Sequence, residues 1–356
     1  MSDTNFKVAV LYQAKQPPVK DGILKPIKPG GYADSGADIA YTLKEKNIPV
    51  ITPTENPEVE QDLDWVFPDT KEGISKAISL GANTFWLNTV LYNGHPIEEF
   101  ISKDIFVVGQ DPKMVDTYDD KVHTNNMLKK ANLPIPKSML IDSKNIDKLG
   151  SIDLKFPLMI KPIRGRGSQG VMLVEQEKDL EKNLKETFKK GDFGMAVYLE
   201  EYLPGEELTV TIMPPGKYIV EELELRYDYY WALPAVRRFN HENGVAPYNG
   251  QVAIINNSEV LTVEEEIEPK VKSLYKLCQH AAEIVHSKAP IRIDCRADDN
   301  GQYFLFDLNM KPNMTGAGRM HRADQDSLAA LSARRINWEF SDLLTAMLAQ
   351  RWNSES

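Results

Sequence analysis

The chain has 356 residues, 42% hydrophobic and 26% charged, which is long for one domain and ordinary for a folded protein of two or three. With 42 basic against 52 acidic residues the formal charge is −10, and no local basic patch stands out, so neither a nucleic-acid groove nor an anionic membrane surface is expected. The only cysteines, Cys278 and Cys295, form no CxxC pair and have no histidine at ligand spacing; with no signal-peptide pattern and no run of about 18 apolar residues, a reducing, cytoplasmic location is expected.

Phe6 to Tyr12 reads as a buried strand, followed by a Pro/Lys/Gly-rich loop (Gln16 to Gly31), an amphipathic helix (Asp34 to Lys46) and a strand from Pro49 to Thr52. Ile74, Ala77, Ile78 and Gly81 recur at helical spacing, and Asp104 to Gly109 reads as strand. This βαβ rhythm predicts a parallel-sheet layer ending near Asp111. Thr117 to Ala131 reads as one helix, broken by Asn132 and the Pro134/Pro136 pair. Strands at Pro157 to Lys161, Val171 to Glu175 and Val197 to Glu201 surround a helix over Lys178 to Lys190, as in a small α+β unit. Pro269 opens a helix with Val271, Leu274, Tyr275, Cys278, Ala281, Ala282 and Val285 on one stripe. The fold class is therefore α/β followed by α+β, in three segments: 1–111, 112–204 and 205–356.

That last helix feeds two alternating runs, Ile291 to Ala297 and Gln302 to Leu308, flanking Asn300-Gly301, the dipeptide of a two-residue type I′ hairpin. Counting back from such a turn, with Asp299 facing Gln302, sets Asp294 opposite Asp307 and Arg292 opposite Asn309, all on one face. Opposed Cβ atoms stand ~4.5 to 5.5 Å apart, where two like charges are unfavourable unless a cation lies between them. Mg²⁺, which combines a few carboxylate and amide oxygens with phosphate oxygens, resolves that conflict; the bland alternative is a polar sheet edge. Cys295, one residue from Asp294, is expected on the opposite face, so no covalent nucleophile is foreseen.

Lys161 ends the apolar run Phe156 to Ile160 and needs an anion there. After it, Arg164-Gly165-Arg166-Gly167-Ser168-Gln169-Gly170 forms a glycine-rich turn between strands, suited either to a flap over a triphosphate or to a plain hairpin; it is neither a P-loop nor a GxGxxG helix start. The stretch Tyr198 to Val210 runs strand, turn, strand. Glu200 can accept from an adenine amino group, its neighbours Glu201 and Leu203 can offer backbone partners to the ring edge, and Glu207 can hold two ribose hydroxyls. Alone, the stretch also reads as a charged surface hairpin.

Taken in order, Asp120-Lys121, Pro157 to Pro162, the glycine-rich flap, Glu200 to Glu207, Arg292-Ile293-Asp294 and Asp307-Leu308-Asn309 resemble the ATP-grasp ligases, and within them the D-alanine–D-alanine ligase branch. The resemblance covers about residues 105 to 320, and the first hundred residues only in their αβ rhythm. It implies an ATP-grasp fold behind an N-terminal Rossmann-like parallel sheet. Lys121 and Lys161 would grip the α and β phosphates, with Gly167 and Ser168 in the flap; Glu200, Glu201 and Leu203 would hold adenine and Glu207 the ribose. Asp294, Asp307 and Asn309 would bind two Mg²⁺, replaceable by Mn²⁺. Arg292 would stabilise the oxyanion of a tetrahedral intermediate, and Arg292, Lys161 and Ser168 would be the catalytic set. A homodimer through the first segment is expected by the same analogy.

Departures from that pattern concern substrate. The glutamate expected after the first strand is replaced by Gln13-Ala14-Lys15-Gln16-Pro17-Pro18, and the serine-containing segment after the metal hairpin by Pro312 to Arg319. Gly318 and Arg319 are thus expected near a substrate carboxylate, and Arg237 or Arg238 at the acyl phosphate or a second carboxylate. Tyr227-Asp228-Tyr229-Tyr230-Trp231 falls where the family has its mobile lid and reads as lid or as core. The expectation is an ATP-dependent carboxylate–amine ligase working on a small carboxylate and an amine, amino acids in the simplest case. An ATP-grasp kinase of small hydroxyl compounds and a non-catalytic ATP-binding protein are the alternatives.

Overall fold

The computed structural model describes residues 6–356 apart from 26, 166–167, 221–222 and 248–251, and apart from the side chains of 147, 148, 150 and 151. Val8–Tyr12 (β1) is apolar along its length, as a strand covered on both faces must be. With Val66–Pro68 (β2), Thr84–Asn88 (β3) and Phe106–Val108 (β4) it forms a four-stranded parallel sheet of order β2-β1-β3-β4. Alternation divides its side chains. Val8 and Val10 pack with Ala37, Ala40 and Leu43 of Ala33–Glu45 (α1), whereas Ala9 and Leu11 pack with Ile74 and Ala77 of Lys71–Ser79 (α2). One expectation fails here. Pro49 to Thr52 supplies only an isolated bridge, Val50 to Val8, and β2 and β3 supply the strands instead.

The expected helix over Thr117 to Ala131 is two, Pro112–Tyr118 (α3) and Lys121–Lys130 (α4). The reason is local: Asp120 leaves the helical conformation and its carboxylate accepts the His123 N–H at 2.9 Å, capping a new helix. Ser138–Asp142 (β5), Leu158–Pro162 (β6), Met172–Val174 (β7) and Ala196–Glu201 (β8) make an antiparallel sheet of order β5-β8-β6-β7, covered by Glu177–Lys190 (α5) through Leu180, Leu184 and Phe188.

Beyond it, Glu207–Met213 (β9) begins the largest sheet. Gly216–Val220 (β10) and Leu223–Tyr227 (β11) form a separate hairpin; Trp231–Ala232 (β12), Val236–Arg238 (β13), Ser258–Val260 (β14), Ile291–Ala297 (β15) and Tyr303–Asn309 (β16) complete the sheet in the order β14-β13-β9-β15-β16, with β12 also on β9. Val263–Glu266 (α6) precedes Pro269–Ile284 (α7), whose expected stripe packs beneath β15. There Cys278 Sγ lies 3.6 Å from Cys295 Sγ, both as free buried thiols on the side away from Asp294. Leu328–Arg334 (α8) and Phe340–Ala349 (α9) close the chain, α9 against α1 and β10. Within the aromatic stretch that β11 opens, Trp231 is core, stacking on Tyr227 at 4.4 Å and meeting Tyr218 and Trp338 edge-on, whereas Tyr229 is 64% exposed.

The hairpin reaches its expected pairing by an unexpected route. Gly301, with φ 76°, closes a three-residue turn in which Asp298 N–H donates to Gln302 O at 2.9 Å, so Ala297 faces Tyr303 and the register is one residue away from a two-residue turn. A bulge between Asp294 and Cys295, with Phe306 as the extra residue opposite, restores it: Asp294 pairs with Asp307 and Arg292 with Asn309.

Candidate active site

The upper face of the β13-β9-β15-β16 sheet carries polar side chains in three rows, because residues paired across strands share a face. Arg238, Glu207 and Arg296 form one row, Thr209, Asp294 and Asp307 the next, and Thr211, Arg292 and Asn309 the third. Asp294 accepts from Thr209 Oγ1 at 2.8 Å on one oxygen and from Arg292 at 3.0 Å on the other. Asn309 Oδ1 accepts the Lys311 N–H at 3.0 Å.

The two expected phosphate lysines meet this face from other elements. Lys121, at the start of α4, is ion-paired with Asp307, and Lys161, at the end of β6, with Glu200 on the adjacent β8; Lys161 also lies 4.7 Å above the Phe306 ring. Burial alone would push the Asp307 carboxyl up, but Lys121, Lys161 and Arg292 together hold it below the usual carboxylate range. Glu200 is the opposite case, since burial raises it and Lys161 only partly offsets that. Burial also works against the Arg292 cation, yet Asp294 and Asp307 keep its pKa above the ordinary arginine value.

Around this face three buried atoms, Glu200 Oε2, Arg292 Nε and Arg238 Nε, have no hydrogen-bond partner among the described residues. A buried acceptor and two buried donors left open around one face fit a polyanionic ligand with a hydrogen-bonding ring, since such atoms are costly to leave unmade. Among the described residues no three His, Cys, Asp or Glu side chains gather round one point. The donor set is two carboxylates and an amide oxygen, and that suits Mg²⁺, which takes most of its shell from phosphate and water.

Glu207 is flanked by Arg238 and Arg296, and His241 Nε2 lies 2.8 Å from its Oε2. These partners outweigh the effect of burial and keep the Glu207 carboxyl below its usual range. Glu201 Oε1 accepts the Lys155 N–H at 2.9 Å, its own N–H donates to Lys137 O at 2.9 Å, and Leu203 follows half-buried. Ser168 is exposed with φ 59° at the base of the glycine-rich turn, and Gly167 lies outside the described residues.

Two expected substrate cations are placed elsewhere. Arg237 points to the opposite face from Arg238, as alternation requires, and is held by Glu206, Glu259 and Glu265 at 2.6, 2.7 and 2.6 Å. Arg319 is 1% exposed, with its guanidinium between Asp38 (2.8 Å) and Asp62 (2.7 Å). Gly318 presses on α1 so closely that an added Cβ would collide with Thr42 Oγ1, which pins the segment and turns Arg319 inward. Arg296 and His241 escaped sequence reading. Arg296 was within reach of the period-2 rule that found Arg292 and Asp294; His241 sits in a loop and left no signal.

Residues 127–349 match the family described as "D-ala D-ala ligase C-terminus", well over half of the chain. The chain belongs to the D-alanine–D-alanine ligase C-terminal family. A D-alanine–D-alanine ligase of Mannheimia succiniciproducens is 27% identical over 237 residues, covering 64% of this chain and 66% of that protein, and one from Francisella philomiragia is 22% identical over 231 residues, covering 65% and 66%. The chain thus aligns with just under two thirds of the length of these relatives. The solved structures of Bacillus anthracis D-alanine–D-alanine ligase complexed with ATP (TM-score 0.63, 16% identity, 97% of this chain and 96% of that one) and Enterococcus faecalis VanG D-Ala:D-Ser ligase (0.66, 16%, 97% and 99%) share its fold throughout. The architecture is therefore the ATP-grasp fold of D-alanine–D-alanine ligases, first sheet included.

Proposed function

We propose that the protein is an ATP-dependent ligase that joins a carboxylate to an amine, releasing ADP and phosphate. Membership of the D-alanine–D-alanine ligase family supports this, and the observation that carries it in this chain is the opposed pair Asp294 and Asp307 flanked by Asn309 and the open guanidinium of Arg292. Mg²⁺, held by Asp294, Asp307 and Asn309, would supply charge neutralisation at the transferred phosphoryl group. Lys121 and Lys161 would exchange their present carboxylate partners for the α and β phosphates. Glu200, with the Glu201 and Leu203 backbone, would orient adenine, and Glu207 the ribose; Gly167 and Ser168 would close over the phosphates.

The substrate carboxylate attacks the γ-phosphorus and ADP leaves, giving an acyl phosphate; the amine then adds to its carbonyl, and phosphate departs as the amide forms. Arg292 would donate to the oxyanion that develops in that second step, where a preorganised donor has most effect. Arg238, with its open Nε on the same face, would bind the acyl phosphate or a second carboxylate. Amino acids are the substrates this reading favours, giving a dipeptide-like product, and a cytoplasmic homodimer is the setting it implies. No helix among the described residues is long and apolar enough to cross a membrane.

The test is release of ADP, AMP and phosphate from Mg-ATP across pooled pairs of L- and D-amino acids, with products identified by mass. ADP release requiring two substrates and yielding their amide is expected, and Arg292→Met should lower kcat by about 10²–10³ with the KM for ATP retained. ADP together with a phosphorylated single acceptor would make the protein a kinase.

A further inference from the structure

The Pro/Lys/Gly-rich loop that follows β1 does not stay with the first sheet. It crosses to the part of the chain that carries the two phosphate lysines. Ile23 and Asp21 lie against Gly194, just before β8, where an added Cβ would stand 3.1 Å from Ile23 Cγ1 and 3.3 Å from Asp21 O. Lys20 and Lys25 of the loop are ion-paired with Asp116, on α3, and with Asp119, in the break between α3 and α4. Asp21 Oδ2 accepts from Arg164 Nε at 3.0 Å.

These contacts converge on Arg164, which is 5% exposed and follows Lys161 by three residues. From the end of β6 its guanidinium reaches the helix break. Nη1 donates to Asp116 O at 3.0 Å and to Asp119 Oδ2 at 3.3 Å, and Nη2 to Asp120 Oδ2 at 3.5 Å. The Asp116 carbonyl belongs to the last turn of α3, where the helix itself supplies no donor and a basic side chain can. Asp120 caps α4 through its other oxygen, and Lys121 is the first residue of that helix. The Lys121 N–H donates to Ile163 O at 3.0 Å, one residue before Arg164. The start of α4 is therefore tied to the segment leaving β6 twice, by a main-chain bond and by the guanidinium. Without that cation, the Asp116, Asp119 and Asp120 carboxylates would repel across the break.

We propose that Arg164 is a positioning residue for the nucleotide: it sets Lys121 against Lys161, and the loop after β1 braces it through Asp21. The first segment thereby contributes to triphosphate binding through Arg164. The assignment rests on the reading of Lys121 and Lys161 as phosphate ligands in the ligase. A planar fork spans a carbonyl and several carboxylates at once, so lysine should replace Arg164 only in part.

Calorimetric titration of the full chain with a non-hydrolysable Mg-ATP analogue, and with adenosine, tests this. Arg164→Met should weaken the analogue about 10-fold and leave adenosine, which has no phosphate for Lys121 to hold, unchanged. In a Lys121→Met background the same change should cost about threefold or less, because its effect passes through Lys121. Arg164→Lys should recover part of the lost affinity, which a side chain that merely fills space would not show. Asp21→Asn, at a half-exposed carboxylate, should weaken the analogue about 2- to 3-fold. It carries the test with Arg164→Lys should Arg164→Met fail to fold. Wild-type affinity for the analogue in Arg164→Met or Asp21→Asn, an equal loss for adenosine, or the same loss with and without Lys121 would overturn the assignment, and would leave the ligase reading standing wherever two-substrate ADP release persists. Arg164-dependent binding of the analogue without ADP release from any amino-acid pair would sink the ligase reading alone.

Discussion

Lys121 and Asp307, 186 residues apart in the chain, are ion-paired across the junction between α4 and β16. A cation proposed for phosphate and a carboxylate proposed for Mg²⁺ thus neutralise each other, and nucleotide binding must exchange both partners together. Lys121→Met should raise the KM for ATP and destabilise the ligand-free protein by about 1–3 kcal/mol, because Asp307 loses its charge-assisted bond. Asp307→Asn should abolish turnover while weakening the ligand-free fold less, since the amide still accepts from Lys121. Denaturant melts paired with ADP-release kinetics separate the two effects, and equal destabilisation would refute this asymmetry.

Glu207 sits between two arginines with His241 on its free edge. If its carboxylate holds the ribose, Glu207→Gln should raise the KM for ATP about 10-fold or more and bring the KM values for ATP and 2′-deoxyATP together. Undiminished discrimination between those nucleotides would place the ribose elsewhere.

Arg319 and Asp38 form an ion pair with no solvent exposure on either side chain. Removing one partner of such a pair costs about 3–5 kcal/mol, and the remaining Arg322–Asp38 contact at 2.9 Å places Arg319→Ala toward the lower figure. The KM for every substrate should be unchanged in the folded fraction. A selective rise in one KM with no loss of stability would return Arg319 to the substrate site.

The hairpin shows how much of this was legible in sequence. Alternation placed Arg292, Asp294, Asp307 and Asn309 on one face, and that reading rests on hydrophobic pattern. The turn beneath it did not follow Asn-Gly: Asp298 accepts from the Asn300 and Gln302 N–H groups at 2.9 Å each, and those local bonds favour the longer loop. The bulge at Phe306 then cancels the shift, and the Phe306 ring lies under Lys161 of β6, a contact between separate elements that no local pattern encodes. Arg319 was misjudged for a related reason. Its partners Asp38 and Asp62 lie on α1 and the loop before β2, so only the tertiary fold shows that they consume its charge. The division of the helix at Asp120, by contrast, was readable from an aspartate three residues before His123.

Opposite pH responses follow from Glu200 and Asp307. The Glu200 carboxyl is raised in the folded protein, so its contribution is full below the ordinary glutamate value of ~4.3 and is lost as pH rises through the folded value. Asp307 is lowered, so its contribution is present above ~3.9 and is lost as pH falls through its folded value. In ligand-free protein, Glu200→Gln should therefore gain on the wild type as pH rises above about 4, and the stability of Asp307→Asn should fall less steeply in acid. Parallel stability curves for the three proteins would contradict both assignments.

The acyl phosphate is the centre of the proposed mechanism, and isotope transfer reads it directly. Once a substrate pair is found, the carboxylate substrate is labelled with ¹⁸O at both oxygens and the inorganic phosphate is analysed by mass. The account requires one ¹⁸O in each phosphate released, because the oxygen that attacked the γ-phosphorus leaves with it. Unlabelled phosphate released as the amide forms, with the expelled label in AMP or water, would contradict it.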